Sequence, residues 1–327
     1  MGKLDQAGLA AQGSSSDGPS ASGSPPLGNL PAGYVWRPLA AGDIVAVWEL
    51  EAAGEAYDDG VVEVDLSDLE AEWSQPDFDT ASMSVGVFTD HRLVAYAQVF
   101  QGRAEALVHP EHRGREIGSA LMRWTWEAAR REGRVRVSQT ISENEKSAEA
   151  LLRANGYEYG HTSWILRIEL TAPPPRAVLP AGYRLRAYSA GEDDREVFEL
   201  IDRAFEEWRG LSSESKGFEN WAASALHNVS PGLVVLIERS KRIVGVAVGY
   251  DYGPKVEGWI GEIAVERAHR GKGLGRALLE DCFRRFFALG RRQCGVSTDS
   301  RTGALGLYEH VGMSVSRTYT RWIKQGL

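Results

Sequence analysis

Apolar positions along the chain follow two alternating periods. Leu233 to Glu238 and Ile243 to Tyr250 are rich in β-branched and aliphatic residues, and they flank Arg239-Ser240-Lys241-Arg242 in the pattern of a hairpin. Trp259 to Val265 is a further strand-like run. Leu274, Leu278, Cys282 and Phe286 then recur at helical spacing up to Gly290, which stands where a helix C-cap is expected. Gln293 to Thr298 reads as a strand, Ala304 to His310 as a short helix before Gly312, and Val315 to Ile323 as the strand that closes the sheet.

The same order runs once before. Met83 to Phe88, Leu93 to Phe100 and Glu105 to Val108 read as strands, and Ile117 to Glu132 as a helix. Val135 to Thr140, a helix near Ser147 to Ala154, and Tyr157 to Leu170 complete the first set. Upstream of the two sets, Asp43 to Gly54 and Arg195 to Trp208 carry helical periodicity. The pentapeptide Leu30-Pro31-Ala32-Gly33-Tyr34 also returns as Leu179-Pro180-Ala181-Gly182-Tyr183. A repeat of this period marks a duplicated domain, each copy with early helices followed by a mostly antiparallel sheet.

Composition agrees with this plan. A length of 327 residues suits about two domains. Residues 1–29 are rich in Gly, Ser, Pro and Ala and poor in large apolar side chains, so a disordered tail is expected there. The expected boundaries are a first domain over 30–170, a linker over 171–178 containing Pro173-Pro174-Pro175, and a second domain over 179–327. A formal charge of −8 speaks against a general nucleic-acid binder. With only Cys282 and Cys294, both on elements of regular structure, buried thiols are expected and no disulfide framework or metal site. No apolar run approaches the roughly 20 residues of a membrane span, so a cytoplasmic protein without membrane association is expected.

The candidate chemistry lies where the last strand of the Trp259–Val265 run meets the following helix. Glu262-Ile263-Ala264-Val265 leads into Arg270-Gly271-Lys272-Gly273-Leu274-Gly275-Arg276. A strand, a glycine-rich loop and a helix N-terminus leave main-chain N–H groups uncovered, and Arg270, Lys272 and Arg276 add positive charge, an arrangement suited to a diphosphate. The spacing matches neither the Walker A loop nor the dinucleotide Gly-x-Gly-x-x-Gly loop.

The order Arg270-x-x-Gly273-x-Gly275 resembles the acetyl-CoA pyrophosphate loop of the GNAT superfamily of N-acyltransferases. Leu307-Tyr308-Glu309-His310-Val311-Gly312-Met313 resembles that family's Leu-Tyr-Glu-x-x-Gly-Phe signature. The resemblance implies two tandem α/β (α+β) GNAT-like domains, each a mixed, mostly antiparallel sheet flanked by helices. It implies acetyl-CoA as cosubstrate, no metal, and transfer of acetyl to the primary amine of an acceptor that the sequence does not identify. Amino sugars, antibiotics, thiol precursors and protein amines all qualify. By the same resemblance Glu262 is the base that deprotonates the amine and Tyr308 the acid that protonates the leaving thiolate. Main-chain N–H groups at Ile263, Ala264 and Val265 would hold the thioester and pantetheine arm, and 270–276 the pyrophosphate. A non-catalytic acyl-CoA sensor and a transferase of longer acyl groups are the alternatives, and monomer and homodimer both stay open.

The first copy departs from this machinery at two positions. Its loop, Arg113-Gly114-Arg115-Glu116-Ile117-Gly118, carries Glu116 where the second has Gly273, and Leu152 occupies the place of Tyr308 relative to Gly156 and Gly312. A side chain with negative charge opposes a diphosphate, so the first copy is expected to be non-catalytic, although Glu105 occupies the carboxylate strand.

Overall fold

The computed structural model describes residues 26–327 apart from 29, 76, 207–216, 226–228, 252 and 254–256. The expected tail over 1–29 falls almost wholly outside the described residues, as does Trp208. The chain divides into two compact units.

In unit 1 the elements are β1 (Val35–Arg37), α1 (Ile44–Asp58), α2 (Leu66–Trp73), α3 (Thr80–Met83), β2 (Ser84–Thr89), β3 (Arg92–Phe100), β4 (Arg103–Val108), α4 (Ile117–Arg131), β5 (Arg136–Ser142) and α5 (Lys146–Ala154). Strands β1 to β4 pair antiparallel in sequence order, and β4 pairs parallel with β5. Helix α4 shows why the sheet is covered. Ile117, Ala120, Leu121, Trp124 and Ala128 are buried on one face, while Arg123, Glu127, Arg130 and Arg131 are exposed on the other.

After β6 (Glu158–Glu169), unit 2 repeats the plan: β7 (Arg184–Ala187), α6 (Asp194–Glu206), α7 (Phe218–Ala225), β8 (Val234–Arg239), β9 (Arg242–Asp251), β10 (Gly258–Val265), α8 (Leu274–Ala288), β11 (Gln293–Asp299), α9 (Leu305–His310) and β12 (Ser314–Gln325). Strands β7 to β10 pair antiparallel, and β10 pairs parallel with β11. Periodicity marks most of these strands and helices, but β1, β7, α2, α3 and α7 are additional. Among the described residues no helix is long and apolar enough to cross a membrane.

The closing strands correct the expected boundaries. Residues 319–325 of β12 pair antiparallel with Ser142–Arg136 of β5, so Thr318–Leu327 belongs to unit 1. Residues 163–169 of β6 pair antiparallel with Asp299–Gln293 of β11 and belong to unit 2, which runs from Ser163 to Arg317. The units therefore do not separate at the 171–178 linker. Burial gives the reason: Trp322 is 1% exposed within the core of unit 1, whereas Leu166 and Leu170 lie in the core of unit 2. Arg167 further ties its segment to unit 2 by an ion pair with the buried Glu257 at 2.8 Å. Alternation along a strand says which side chains are buried, not which sheet receives them.

Candidate active site

Pairing between β10 and β11 covers Gly258–Ile260 against Cys294–Val296 and goes no further, although β10 continues to Val265 and β11 to Asp299. The two parallel strands splay apart beyond Ile260, giving main-chain groups of Ile263–Val265 an edge without a β11 partner. On its other side β10 pairs with β9, and the register shifts between Ile260 and Glu262. Gly261 is the extra residue. A Cβ there would stand 2.4 Å from the Tyr250 ring, so only glycine lets the tyrosine close over the bulge. A bulge re-aims the following side chain, and that side chain is Glu262. Its two carboxylate oxygens lie 3.3 and 3.2 Å from the indole Nε1 of Trp221, which donates to them from α7.

The loop between β10 and α8 is held by its own side chains. Arg270 Nε donates to the Val265 carbonyl at 2.9 Å, Lys272 Nζ donates to Ala268 O at 3.0 Å, and Arg276 pairs with Glu280 at 2.7 Å. Gly273 is the N-cap of α8 with φ 77°, left-handed, and no side chain caps the helix. Gly271, Lys272, Gly273 and Arg276 are exposed. The first-turn N–H groups therefore face outward with the positive end of the helix dipole, a surface that fits a pyrophosphate. Gly275 instead serves packing, since a Cβ there would press to 3.1 Å on Leu307 of α9.

Tyr308, on α9, is 3% exposed and belongs to the same apolar cluster as Ile263, Val265 and Leu274. Strand end, helix start and phenol thus converge within one core. Burial pushes the Tyr308 phenol above its usual range, which keeps it protonated and able to donate. Its hydroxyl makes no hydrogen bond to another described residue. Both cysteines are fully buried, and burial pushes Cys282 up to about 12, so neither offers a thiolate near neutral pH.

Unit 1 keeps the frame and changes the contents. Pairing of β4 with β5 is again short, over Arg103–Ala104, and Arg113 Nε donates to Val108 O as Arg270 does to Val265. The repeated pentapeptide has a shared task here. Tyr34 bonds His112 Nδ1 and Tyr183 bonds His269 Nδ1, each at 2.8 Å, so each copy's tyrosine anchors the turn that precedes its glycine loop. However, Glu116 is the N-cap of α4 at φ 63°, putting a carboxylate where Gly273 leaves open space. The Arg113 guanidinium is clamped by both oxygens of Asp58 at 2.7 and 2.6 Å. Asp59 accepts from Ser142 Oγ and Asn144 Nδ2 at the end of β5, at 2.7 and 2.8 Å. The end of α1 thereby straps across the mouth between β4 and β5. There is no bulge opposite Glu105: β3 and β4 pair in continuous register, with Gln98 facing it. Gln98 accepts from Trp73 Nε1 and donates to Glu105 and Glu72.

His109, Glu111 and His112 also bring ligating atoms within 4.8 Å of one another. His109 Nε2 faces Arg92 at 3.3 Å, its Nδ1 accepts from Glu111 N, and His112 Nδ1 is taken by Tyr34, so the group is a structural knot around the turn.

Sequence reasoning missed Trp221, Asp58 and Gly261. The first had a signal in Phe218, Trp221, Ala222 and Ala225, which recur at helical spacing. The other two act through partners remote in sequence or across the sheet.

Comparison with known proteins agrees with this duplication. The model of the acetyltransferase (GNAT) family matches residues 195–313, and that of a GNAT acetyltransferase domain matches residues 83–159. The mycothiol acetyltransferase of Thermobispora bispora is 29% identical over 230 residues, 67% of this chain and 72% of its own length. That of Nocardia farcinica is 28% identical over 264 residues, 72% of this chain and 83% of its own length. Among solved structures, a GCN5-related N-acetyltransferase from Sphaerobacter thermophilus aligns with a TM-score of 0.80 and 29% identity, covering 91% of this chain and 97% of its own. A tandem GNAT protein from the clavulanic acid biosynthesis pathway shares the fold, with a TM-score of 0.68 and 19% identity over 90% of this chain and 99% of its own. With a GNAT family match in each half of the sequence, and relatives that are named acetyltransferases, the chain belongs to the GNAT acetyltransferases as a tandem member, an N-acetyltransferase.

Proposed function

We propose that unit 2 transfers acetyl from acetyl-CoA to a primary amine by direct attack, and that unit 1 is non-catalytic. The observation that carries this reading is the asymmetry of the two loops. Exposed Gly273 opens the start of α8 to a diphosphate, whereas Glu116 and the Asp58 clamp on Arg113 occupy the corresponding place in unit 1.

In this scheme the 270–276 loop and the first turn of α8 take the pyrophosphate, and the unpaired edge at Ile263–Val265 takes the pantetheine arm and thioester carbonyl. Glu262 accepts a proton from the acceptor's ammonium, and the freed nitrogen lone pair attacks the thioester carbon. As the C–S bond breaks, its electron pair leaves on sulfur, and the Tyr308 hydroxyl donates a proton to it. The amide nitrogen sheds its remaining extra proton to solvent. The products are the acetamide and free CoA thiol. Burial of Cys282 and Cys294 supports a route without an acyl-enzyme.

The relatives named mycothiol acetyltransferase make a mycothiol precursor the first acceptor to assay, beside amino sugars, antibiotics and peptide amines. Titration calorimetry with acetyl-CoA tests the core of the proposal. One tight site per chain that disappears in Gly273→Glu is expected, while two equivalent sites would overturn the assignment of unit 1. Acetyl-CoA consumption over the acceptor panel tests turnover, and binding without turnover on any amine would favour a sensing module.

A further inference from the structure

We propose that Trp221 is a positioning residue that fixes the Glu262 carboxylate in the orientation from which it takes the acceptor's proton; this rests on the reading of Glu262 as the base. The indole N–H meets both carboxylate oxygens at nearly equal distance, 3.3 and 3.2 Å, so it constrains the plane of the carboxylate and not merely one oxygen. A glutamate side chain has several rotatable bonds, and holding it in one rotamer costs entropy that a charge-assisted hydrogen bond offsets.

The indole is itself immobilised. Trp221 is 4% exposed, its ring lies 5.6 Å from Phe198 and 6.4 Å from Phe218, and Phe198 and Phe218 meet edge to face at 5.7 Å. Arg195 stacks over Phe218 at 4.3 Å. Three rings from α6 and α7 thus deliver one N–H to the point where the Gly261 bulge delivers Glu262.

Unit 1 lacks this arrangement. Its Trp73 Nε1 donates to Gln98 Oε1 at 3.0 Å, and Gln98 in turn holds Glu105 at 2.8 Å and Glu72 at 3.2 Å. The residue opposite Glu262 is Val248, which has no polar atom with which to intercept the indole. In unit 1 a glutamine thus stands between Trp73 and Glu105, whereas in unit 2 the indole reaches the carboxylate directly.

The test is a double-mutant cycle between Trp221→Phe and Glu262→Gln, read as kcat/KM for an accepted amine, with acetyl-CoA affinity and thermal melting followed in parallel. Trp221→Phe keeps an aromatic ring and removes the donor. It is expected to lower kcat/KM about tenfold, the low end for a hydrogen bond to a charged group because this one is shared and long. Acetyl-CoA affinity is expected to stay within about twofold. In the Glu262→Gln background, Trp221→Phe should cause no further loss, and Trp221→His, which restores a ring N–H, should recover part of the loss in the parent. Equal losses in both backgrounds, or full activity of Trp221→Phe, would overturn the proposal. A Glu262→Gln variant that turns over normally would instead overturn the base assignment on which it rests. If Trp221→Phe does not fold, a tryptophan analogue with sulfur replacing the indole N–H at position 221 carries the same cycle with ring volume intact.

Discussion

Replacing Trp322 by Ala should unfold the half of the molecule that the sequence order assigns to the other copy. Trp322 lies on β12, downstream of every other element of the second repeat, yet its ring is 1% exposed among the core side chains of unit 1. It meets Tyr159 edge to face at 6.1 Å, carries the Arg153 guanidinium 4.5 Å above its face, and donates from Nε1 to Thr320 Oγ1 at 3.0 Å. Truncation of a buried tryptophan costs about 3–5 kcal/mol. The ring and cation contacts keep this site clear of the lower end of that range, so about 4 kcal/mol is expected, or roughly a thousandfold in the opening equilibrium of the cooperative region. Hydrogen exchange followed by mass spectrometry resolves which region opens. Peptides of α4 and β5 should exchange faster, while α8 and β11 keep their protection. Leu166→Ala is the mirror experiment, because Leu166 is fully buried in unit 2; it should open α8 and β11 first. If Trp322→Ala opens α8 and β11 and spares α4 and β5, the exchange of closing strands described above is wrong.

Further outcomes follow from the proposed site and its counterpart in unit 1. Tyr308→Phe should cut turnover at least a hundredfold, within the usual range for general acid catalysis, and leave acetyl-CoA affinity unchanged by calorimetry, since the buried ring is retained. Glu116→Gly should not by itself give unit 1 an acetyl-CoA site, because Asp58 still clamps Arg113; calorimetric detection of a second tight site in that variant would show the clamp to be irrelevant. Burial, followed by repulsion from Glu105, pushes the Glu51 carboxyl from 4.5 up to about 7. Between those values the folded state holds a proton that the unfolded chain has released, so this group's stabilising contribution is complete below about pH 4.5 and is lost as pH rises towards 7. Glu51→Gln should therefore flatten the fall in denaturant midpoint over that window, with Glu145, also raised to about 7, supplying the slope that persists.

Most of the strands and the glycine loop were legible because each depends on residues adjacent in sequence. Gly271, Gly273 and Arg270 announce their loop by type and spacing alone, and Leu152 standing in place of Tyr308 could be found by counting from Gly156 and Gly312. Features made by pairing were not legible. The bulge at Gly261 becomes necessary only once the Tyr250 ring closes over it, and the strap on unit 1 joins Asp58 to Arg113 across 55 positions. The fate of β6 and β12 was hidden for a related reason. Each reads as a closing strand in either sheet, and the choice is made by whichever core accommodates Trp322 and Leu166.

That choice bears on whether either repeat could be removed from the gene. A deletion that excised the first repeat up to the Pro173-Pro174-Pro175 segment would carry away residues 163–169, the edge that unit 2 pairs with β11, and with them the Arg167 partner of buried Glu257. A stop codon placed just before Thr318 would strip unit 1 of the strand that bears Trp322. Neither repeat can be trimmed cleanly from the other, because each segment that a cut at the repeat boundary would remove completes the pairing of the unit that remains. Reciprocal loan of a closing strand makes the two repeats inseparable at the level of the gene, whatever chemistry each one carries.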